Sequence, residues 1–168
     1  MRLALAFVLL LALPSQGAEG WEAFFDPFLG DLRAELDEAK RTGRKGAFVM
    51  YHFDDCPYCQ RMKADVLSRP EVQQGYRRDF VTLALDTRGA QPITGLDGRV
   101  LPENAYAREQ KIRGTPTFDF YAPDGERLYR HVGGLFDPAE FLLLGRYVAS
   151  GAFRSLTFAE YKHRKKGS

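Results

Sequence analysis

Apolar residues follow two patterns along the chain, and together these patterns predict the order of its elements. Apolar and aromatic runs predict strands at 47–53, 80–86 and 117–121, of which the first reads as a central strand buried on both faces. A fourth strand is predicted at 126–132, because it follows a hairpin turn. Helical spacing of apolar residues predicts helices, at 21–42, 60–67, 102–111 and 138–148. Helices that alternate with strands in this way predict an α/β fold, in which a central mixed sheet carries helices on both faces.

Turn and cap residues mark the boundaries of these elements. The sequence Ala122-Pro123-Asp124-Gly125 has the composition of a hairpin turn, so the last two strands should pair antiparallel. Asp137-Pro138 has the form of a helix cap followed by proline in the first turn. Segment 88–101 is rich in glycine and predicts an irregular or hairpin insert. A short amphipathic segment at 153–161 ends the domain, and the basic tail 162–168 is expected to fray.

The first residues have the layout of a secretory signal peptide. Met1-Arg2 is basic, the run from Leu3 to Leu13 is apolar, and small or polar residues follow it. A membrane-spanning helix needs roughly 17–25 residues, so this run predicts no permanent membrane anchor. We expect residues 1–18 to be the signal peptide, with cleavage after Gly17 or Ala18, and residues 19–168 to form one domain in the periplasm.

Composition narrows the function classes. A length of 168 residues with 45% hydrophobic residues suits a single core, and we expect a monomer. The formal net charge is +2, with acids and bases nearly balanced, whereas a nucleic-acid partner would need a concentrated basic face. We therefore expect no nucleic-acid partner.

The chain has two cysteines, which stand together as Cys56-Pro57-Tyr58-Cys59. A structural disulfide across two intervening residues closes too short a loop to stabilise the fold much. A zinc site would need two further cysteine or histidine ligands, and the three histidines of the chain lack the usual ligand spacing: His52, His131 and His163. We therefore predict no metal and no bound cofactor, and a redox-active disulfide between Cys56 and Cys59.

The spacing of this pair suits thiol–disulfide exchange. Cys56 precedes a predicted helix, where unpaired backbone N–H groups and the helix dipole favour a thiolate. Cys59 follows three positions later on the same helix face. We expect Cys56 to be the exposed nucleophile and Cys59 the more buried thiol that releases the mixed disulfide.

The chain resembles the thioredoxin superfamily. A strand leads to the cysteine motif, and Arg113-Gly114-Thr115-Pro116-Thr117 stands before a hairpin about 55 residues later. The resemblance implies a cis proline at Pro116 beside the redox pair, and a substrate-binding role for Thr115 and Pro116. The export signal and the 88–101 insert make the chain look most like the exported SoxW-like thioredoxin-related proteins of bacterial sulfur oxidation.

The chain also departs from an ordinary thioredoxin. Met50 stands where that family has a buried acid, Asp55 replaces a tryptophan, and Pro57-Tyr58 replaces Gly-Pro between the cysteines. His52 can exchange protons with the thiols, or it is a half-buried strand histidine without function. Tyr58 is either a contact for substrates, together with Pro57, or a surface aromatic of no function.

These features predict an exported thiol:disulfide oxidoreductase. Its partners would be exported cysteine-containing proteins and a membrane or periplasmic redox partner. Asp54 and Asp55 oppose a thiolate at Cys56, which favours a reductase over a strong oxidant. The alternatives are a disulfide oxidase or isomerase, and a redox-inert binding module that uses the surface around Tyr58 and Thr115.

Overall fold

The computed structural model describes residues 20–166 of the chain. The predicted signal peptide and its cleavage site lie outside the described residues. The helices are α1 (Leu32–Arg41), α2 (Pro57–Met62), α3 (Pro70–Asp79), α4 (Glu103–Glu109), α5 (Pro138–Ala149) and α6 (Phe158–Lys166). The strands are β1 (Gly46–His52), β2 (Phe80–Asp86), β3 (Pro92–Thr94), β4 (Val100–Pro102), β5 (Thr117–Tyr121) and β6 (Arg127–Val132). Shorter helical turns are Trp21–Phe24, Lys63–Leu67 and Ala152–Arg154.

The central sheet has the strand order β2-β1-β5-β6. β1 runs parallel to β2 and antiparallel to β5, and β5 runs antiparallel to β6. The predicted mixed sheet is therefore confirmed. The predicted insert forms a separate hairpin of β3 and β4, which joins the start of α1 through a bridge between Asp31 and Thr94.

Alternation along β1 divides the core between the two faces of the sheet. Phe48 and Met50 point to one face, where they pack with residues of α2, α3 and α5. Val49 and Tyr51 point to the other face, where they pack with residues of α1 and α4. Both cysteines belong to the first cluster, so we call that side of the sheet the disulfide face and the other side the opposite face.

The prediction of one helix over 21–42 is wrong. The chain forms a short 3-10 turn at Trp21–Phe24, and α1 begins only at Leu32. Between them, Gly30 has a left-handed φ of 87°, and Asp31 caps α1 by accepting hydrogen bonds from the N–H groups of Arg33 and Ala34, at 2.9 and 3.2 Å. Phe24 is an apolar, buried residue, so it matches the helical spacing of apolar positions. It packs on the disulfide face, however, and not beside α1.

Two further helices differ from expectation. The sequence pattern missed α3, a helix that has Pro70 in its first turn. The tail does not fray from residue 162 onward, because α6 continues to Lys166 and Lys162 Nζ donates to Glu140 Oε1 of α5 at 2.7 Å. Within residues 20–166, no helix is long and apolar enough to cross a membrane.

Candidate redox site

The cysteine pair lies at the junction between the central strand β1 and helix α2. A tight turn follows β1, and the Cys56 N–H donates to the carbonyl oxygen of Phe53 at 3.2 Å. Cys56 caps α2, and Pro57 occupies its first turn, where a missing N–H costs nothing. Cys59 follows one turn later, with 5.2 Å between the two Cα atoms, and the two sulfurs form a disulfide.

The sulfur of Cys56 accepts two hydrogen bonds. The backbone N–H of Cys59 lies 3.2 Å from it, which is the usual contact of a helix-capping side chain. The hydroxyl of Thr115 donates to the same sulfur at 3.2 Å. Both donors would stabilise a thiolate on Cys56 after reduction, because a sulfur anion is the stronger acceptor.

The segment that the resemblance assigns to substrate binding lies beside the disulfide. The Thr115–Pro116 peptide bond is cis, and the Thr115 carbonyl oxygen is 3.6 Å from Cys56 Sγ. The segment is held on both sides, because the Pro116 carbonyl accepts the Gly133 N–H at 2.9 Å and Thr117 Oγ1 donates to the Gly114 carbonyl at 2.7 Å. The chain thus brings Cys56 together with Thr115 and Pro116 across 59 residues of sequence.

The expectation that Cys56 is exposed is wrong for the disulfide form. Cys56 is 2% exposed and Cys59 is 0% exposed. The physical reason is the helix cap, because a capping side chain folds back over the first turn, and here Thr115 covers its other side. The capping position and the two donors, rather than exposure, therefore distinguish Cys56 from Cys59.

An aromatic surface adjoins the disulfide. Tyr58 is 62% exposed, and its ring stacks on Phe136 with 6.1 Å between centroids. The guanidinium of Arg61 lies 4.1 Å from the centroid of the Phe136 ring. We call Tyr58, Arg61 and Phe136 the aromatic platform. Sequence reasoning missed Phe136, and its one signal was an aromatic residue directly before the Asp137 cap.

His52 ends β1 on the disulfide face, where the strand alternation of Phe48 and Met50 places it. It is half-buried, and burial lowers its pKa below that of a free histidine. Lys63 lowers the pKa of His52 further, whereas Asp86 and Asp54 raise it. Lys63 was also missed by sequence reasoning, although a lysine four positions after Cys59 was visible.

The comparison with protein families decides the relationship of the chain. Residues 32–149 match the family described as a thioredoxin-like domain. The chain belongs to the thioredoxin-like family. The thioredoxin-like domain spans α1 to α5, so it includes the disulfide, the cis-proline segment and the aromatic platform.

Three further proteins are similar to this thioredoxin-like chain. A thioredoxin from Thermus thermophilus is 34% identical, with a TM-score of 0.53, over 68% of this chain and 81% of that one. A thioredoxin-fold protein from Helicobacter pylori has a TM-score of 0.69 at 15% identity, over 89% of this chain and 96% of that one. Anterior gradient protein 3 of Mus musculus is 31% identical over 62 residues, which are 37% of this chain. The match spans only 38% of the length of that curated relative.

Proposed function

We propose that the chain is an exported thiol:disulfide oxidoreductase that reduces disulfides of periplasmic proteins through Cys56 and Cys59. The observation that carries the exchange chemistry is the environment of the Cys56 sulfur, which lies at the start of α2 and accepts from both Cys59 N–H and Thr115 Oγ1. The reducing direction rests instead on Asp54 and Asp55, whose charges oppose the Cys56 thiolate. The predicted export signal and the insert at 88–101 support our proposal that the chain is one of the SoxW-like proteins of sulfur oxidation. The exchange itself needs no metal or bound cofactor.

In the reduced protein, the Cys56 thiolate attacks one sulfur of a substrate disulfide and the other substrate sulfur leaves as a thiolate. The Cys59 thiol then loses its proton and attacks Cys56. The bond between Cys56 and the substrate breaks, the second substrate thiol leaves, and the Cys56–Cys59 disulfide remains. A membrane or periplasmic redox partner returns two electrons to this disulfide.

Substrate contacts would come from both sides of the sulfur. The Thr115 carbonyl lies against Cys56, so the backbone of this segment can meet a cysteine-containing segment of a substrate. Pro57 and the aromatic platform offer an exposed apolar surface on the other side. This arrangement suits an unfolded or flexible segment of an exported protein, in which apolar residues flank the cysteine.

Insulin reduction by dithiothreitol tests the activity. We expect the wild-type chain to accelerate it and the double variant Cys56→Ser, Cys59→Ser not to. Equal rates would instead support a redox-inert binding module. The direction is tested by the reduction potential in a dithiothreitol buffer, which we expect near the value of thioredoxin, about −270 mV, and not near that of DsbA, about −120 mV.

Trapping in the exported compartment tests the roles of the two cysteines. Cys59→Ser should accumulate reducible adducts with partner proteins, because the mixed disulfide on Cys56 cannot be resolved. Cys56→Ser is the matched control and should accumulate few. Equal accumulation in both variants would contradict the assignment of roles.

A further inference from the structure

An imidazole at the end of β1 and an ammonium group directly after α2 lie on the disulfide face without a part in the exchange described above. His52 Nδ1 is buried and has no hydrogen-bond partner within residues 20–166. Lys63 is 3% exposed, and its ammonium lies 4.1 Å from the ring centroid of Trp21. Buried polar groups usually find partners, and lysine is seldom fully buried. Both groups therefore call for an explanation.

The fold places both residues on the sheet face that holds Cys59. The Lys63 N–H donates to the Cys59 carbonyl, so Lys63 lies one helical turn beyond Cys59 on the same side. Lys63 also opens the π-helical turn Lys63–Leu67, and such turns often occur at functional sites. His52 reaches the same face from the end of β1, and Lys63 is close enough to lower its pKa.

The remaining charges around this pair come from neighbouring elements. Asp86 ends β2 opposite His52 in the strand register, and Asp54 lies in the turn after β1. The carboxylate of Glu22, in the N-terminal turn, raises the pKa of Lys63. Farther out, the backbone N–H of Asp86 donates to Glu103, and Arg88 lies over the ring of Phe53.

A buried carboxylate does not compete for the role of proton acceptor on this face. Among the described residues, the buried polar or charged ones are Lys63, Gln73, Thr82, Thr117 and Asp119. Asp119 lies on the opposite face, where it accepts a hydrogen bond from Tyr121. His52 ends the strand that leads to the cysteines, and among the described histidines on this face it is the one with a buried, unpartnered ring nitrogen, which can take up a proton at neutral pH.

We propose that His52 accepts the proton of Cys59 when Cys59 resolves the mixed disulfide, and that Lys63 is a positioning residue whose charge keeps this imidazole neutral. The inference rests on the proposed function. The Cys59 proton passes to His52, the Cys59 sulfur forms its bond to Cys56, and the bond from Cys56 to the substrate sulfur breaks. That sulfur leaves as a thiolate and takes a proton from the imidazolium, so protons and electrons balance.

The reaction of the reduced protein with 5,5′-dithiobis(2-nitrobenzoic acid) separates the two steps. Attack by Cys56 releases one thionitrobenzoate, and resolution by Cys59 releases the second. The second leaving group is a stable anion, so its rate reports proton removal from Cys59. We expect His52→Gln to slow the second release by about 10²-fold, the lower end of what a positioned acid–base group contributes. The first release should stay unchanged, and His163→Gln, at the exposed C-terminal histidine, should leave both releases unchanged.

The pH profile of the second release tests the part of Lys63. In the wild type, this rate should fall in acid as His52 becomes protonated. Lys63→Met removes the positive charge and should move this fall to higher pH, whereas Asp54→Asn removes a negative charge and should move it to lower pH. Lys63→Arg should restore the wild-type profile. In each variant the second release is compared with the first release of the same variant, so these shifts decide the question even if His52→Gln fails to fold.

Two results would overturn the inference while leaving the proposed function intact. One is an unchanged second release in folded His52→Gln, and the other is an acid limb that does not move in Lys63→Met. Failure of the proposed function has a different signature. It would show as the absence of insulin reduction by the wild-type chain, whatever the two release rates are.

Discussion

The two faces of the central sheet bury opposite kinds of chemistry. The disulfide face holds the two cysteines among aromatic rings such as Phe48 and Phe118. The opposite face holds an anion, because the Asp119 side chain is 0% exposed and pairs with Arg130. The sheet thus separates the strongest buried ion pair from the redox pair. Chemistry at the thiols therefore depends on their own helix and its neighbours rather than on a buried acid.

The ion pair belongs to a network of buried hydroxyl groups. Arg130 Nε donates to Asp119 Oδ1 at 2.6 Å, and Arg130 Nη1 donates to the Gln110 carbonyl at 2.9 Å. The Tyr121 hydroxyl donates to Asp119 Oδ2 at 3.0 Å and lies 3.4 Å from the hydroxyl of Tyr51. Burial, followed by the nearby carboxylate, raises the pKa of Tyr121, so this hydroxyl remains a donor at all physiological pH values.

The largest expected effect comes from breaking the opposite face. Asp119→Ala should reduce the free energy of unfolding by about 3–5 kcal/mol, because the half-buried Arg130 loses its partner and the Tyr121 hydroxyl loses its acceptor. Urea unfolding measures this, and the rate of the first thionitrobenzoate release per folded molecule should not change. Glu38→Ala, which breaks the exposed pair with Arg41, is the control and should cost less than about 1 kcal/mol. A slower release in folded Asp119→Ala would mean that the faces are coupled.

The next effect comes from placing an acid on the disulfide face. Met50→Asp should cost about 2–5 kcal/mol, because it removes a fully buried apolar side chain and buries a carboxyl in its place. Burial raises the pKa of that carboxyl above its unfolded value, so the loss should grow as pH rises through the folded pKa. Met50→Leu keeps the volume and should cost less than about 1.5 kcal/mol. Equal costs measured at low and neutral pH would contradict this description of the face.

A smaller effect is the acid sensitivity of the disulfide face. Burial lowers the pKa of both His52 and His131, the latter stacked on Phe118 at 6.0 Å. The unfolded chain therefore binds these protons first, and the free energy of unfolding should fall as pH drops through about 6.5, where free histidine titrates. His52→Gln and His131→Gln should each flatten that slope. His163→Gln is the control, and a slope that it alone flattens would contradict the assignment.

The smallest effect on stability should come from the aromatic platform. Phe136→Ala should cost about 0.5–1.5 kcal/mol for the lost ring pair beyond any change in burial. It should slow insulin reduction while the small disulfide reagent still reacts at the wild-type rate, because only a protein substrate reaches the platform. Leu29→Ala, at a residue that is 94% exposed, is the control for loss of surface apolar area. Equal slowing with both substrates would show that Phe136 acts on the thiols instead.

Strands β1, β2 and β5 could be predicted from the sequence because they are mostly buried and read as continuous apolar runs, whereas β6, which has no buried residue, was predicted from the hairpin turn before it. Helix α3 was missed because few of its residues are apolar: Val72 and Tyr76 carry its buried face among charged and amide side chains. The helix predicted over 21–42 merged two elements, because Phe24 and Leu32 fit one helical spacing although they belong to different cores. The spacing of apolar residues along the sequence cannot show which of the two core clusters a residue joins.

The redox pair and the cis-proline segment could be predicted because each is carried by a compact motif. Phe136 and Lys63 could not be predicted, because their roles depend on which loop packs against α2 and on the π-helical turn that follows it. The low exposure of Cys56 could not be predicted from the sequence either. It results from Thr115, a residue 59 positions away, whose hydroxyl meets the sulfur only in the folded chain.

The contact between Trp21 and Lys63 gives the molecule a fluorophore of its own. Trp21 is the only tryptophan among the 168 residues, and its ring lies over an ammonium group one turn beyond Cys59. Nearby charges and ring mobility alter the emission of an indole. The tryptophan emission of the native protein therefore reports on one place in the molecule, the turn that follows α2. It can follow structural changes there without a dye or a mutation.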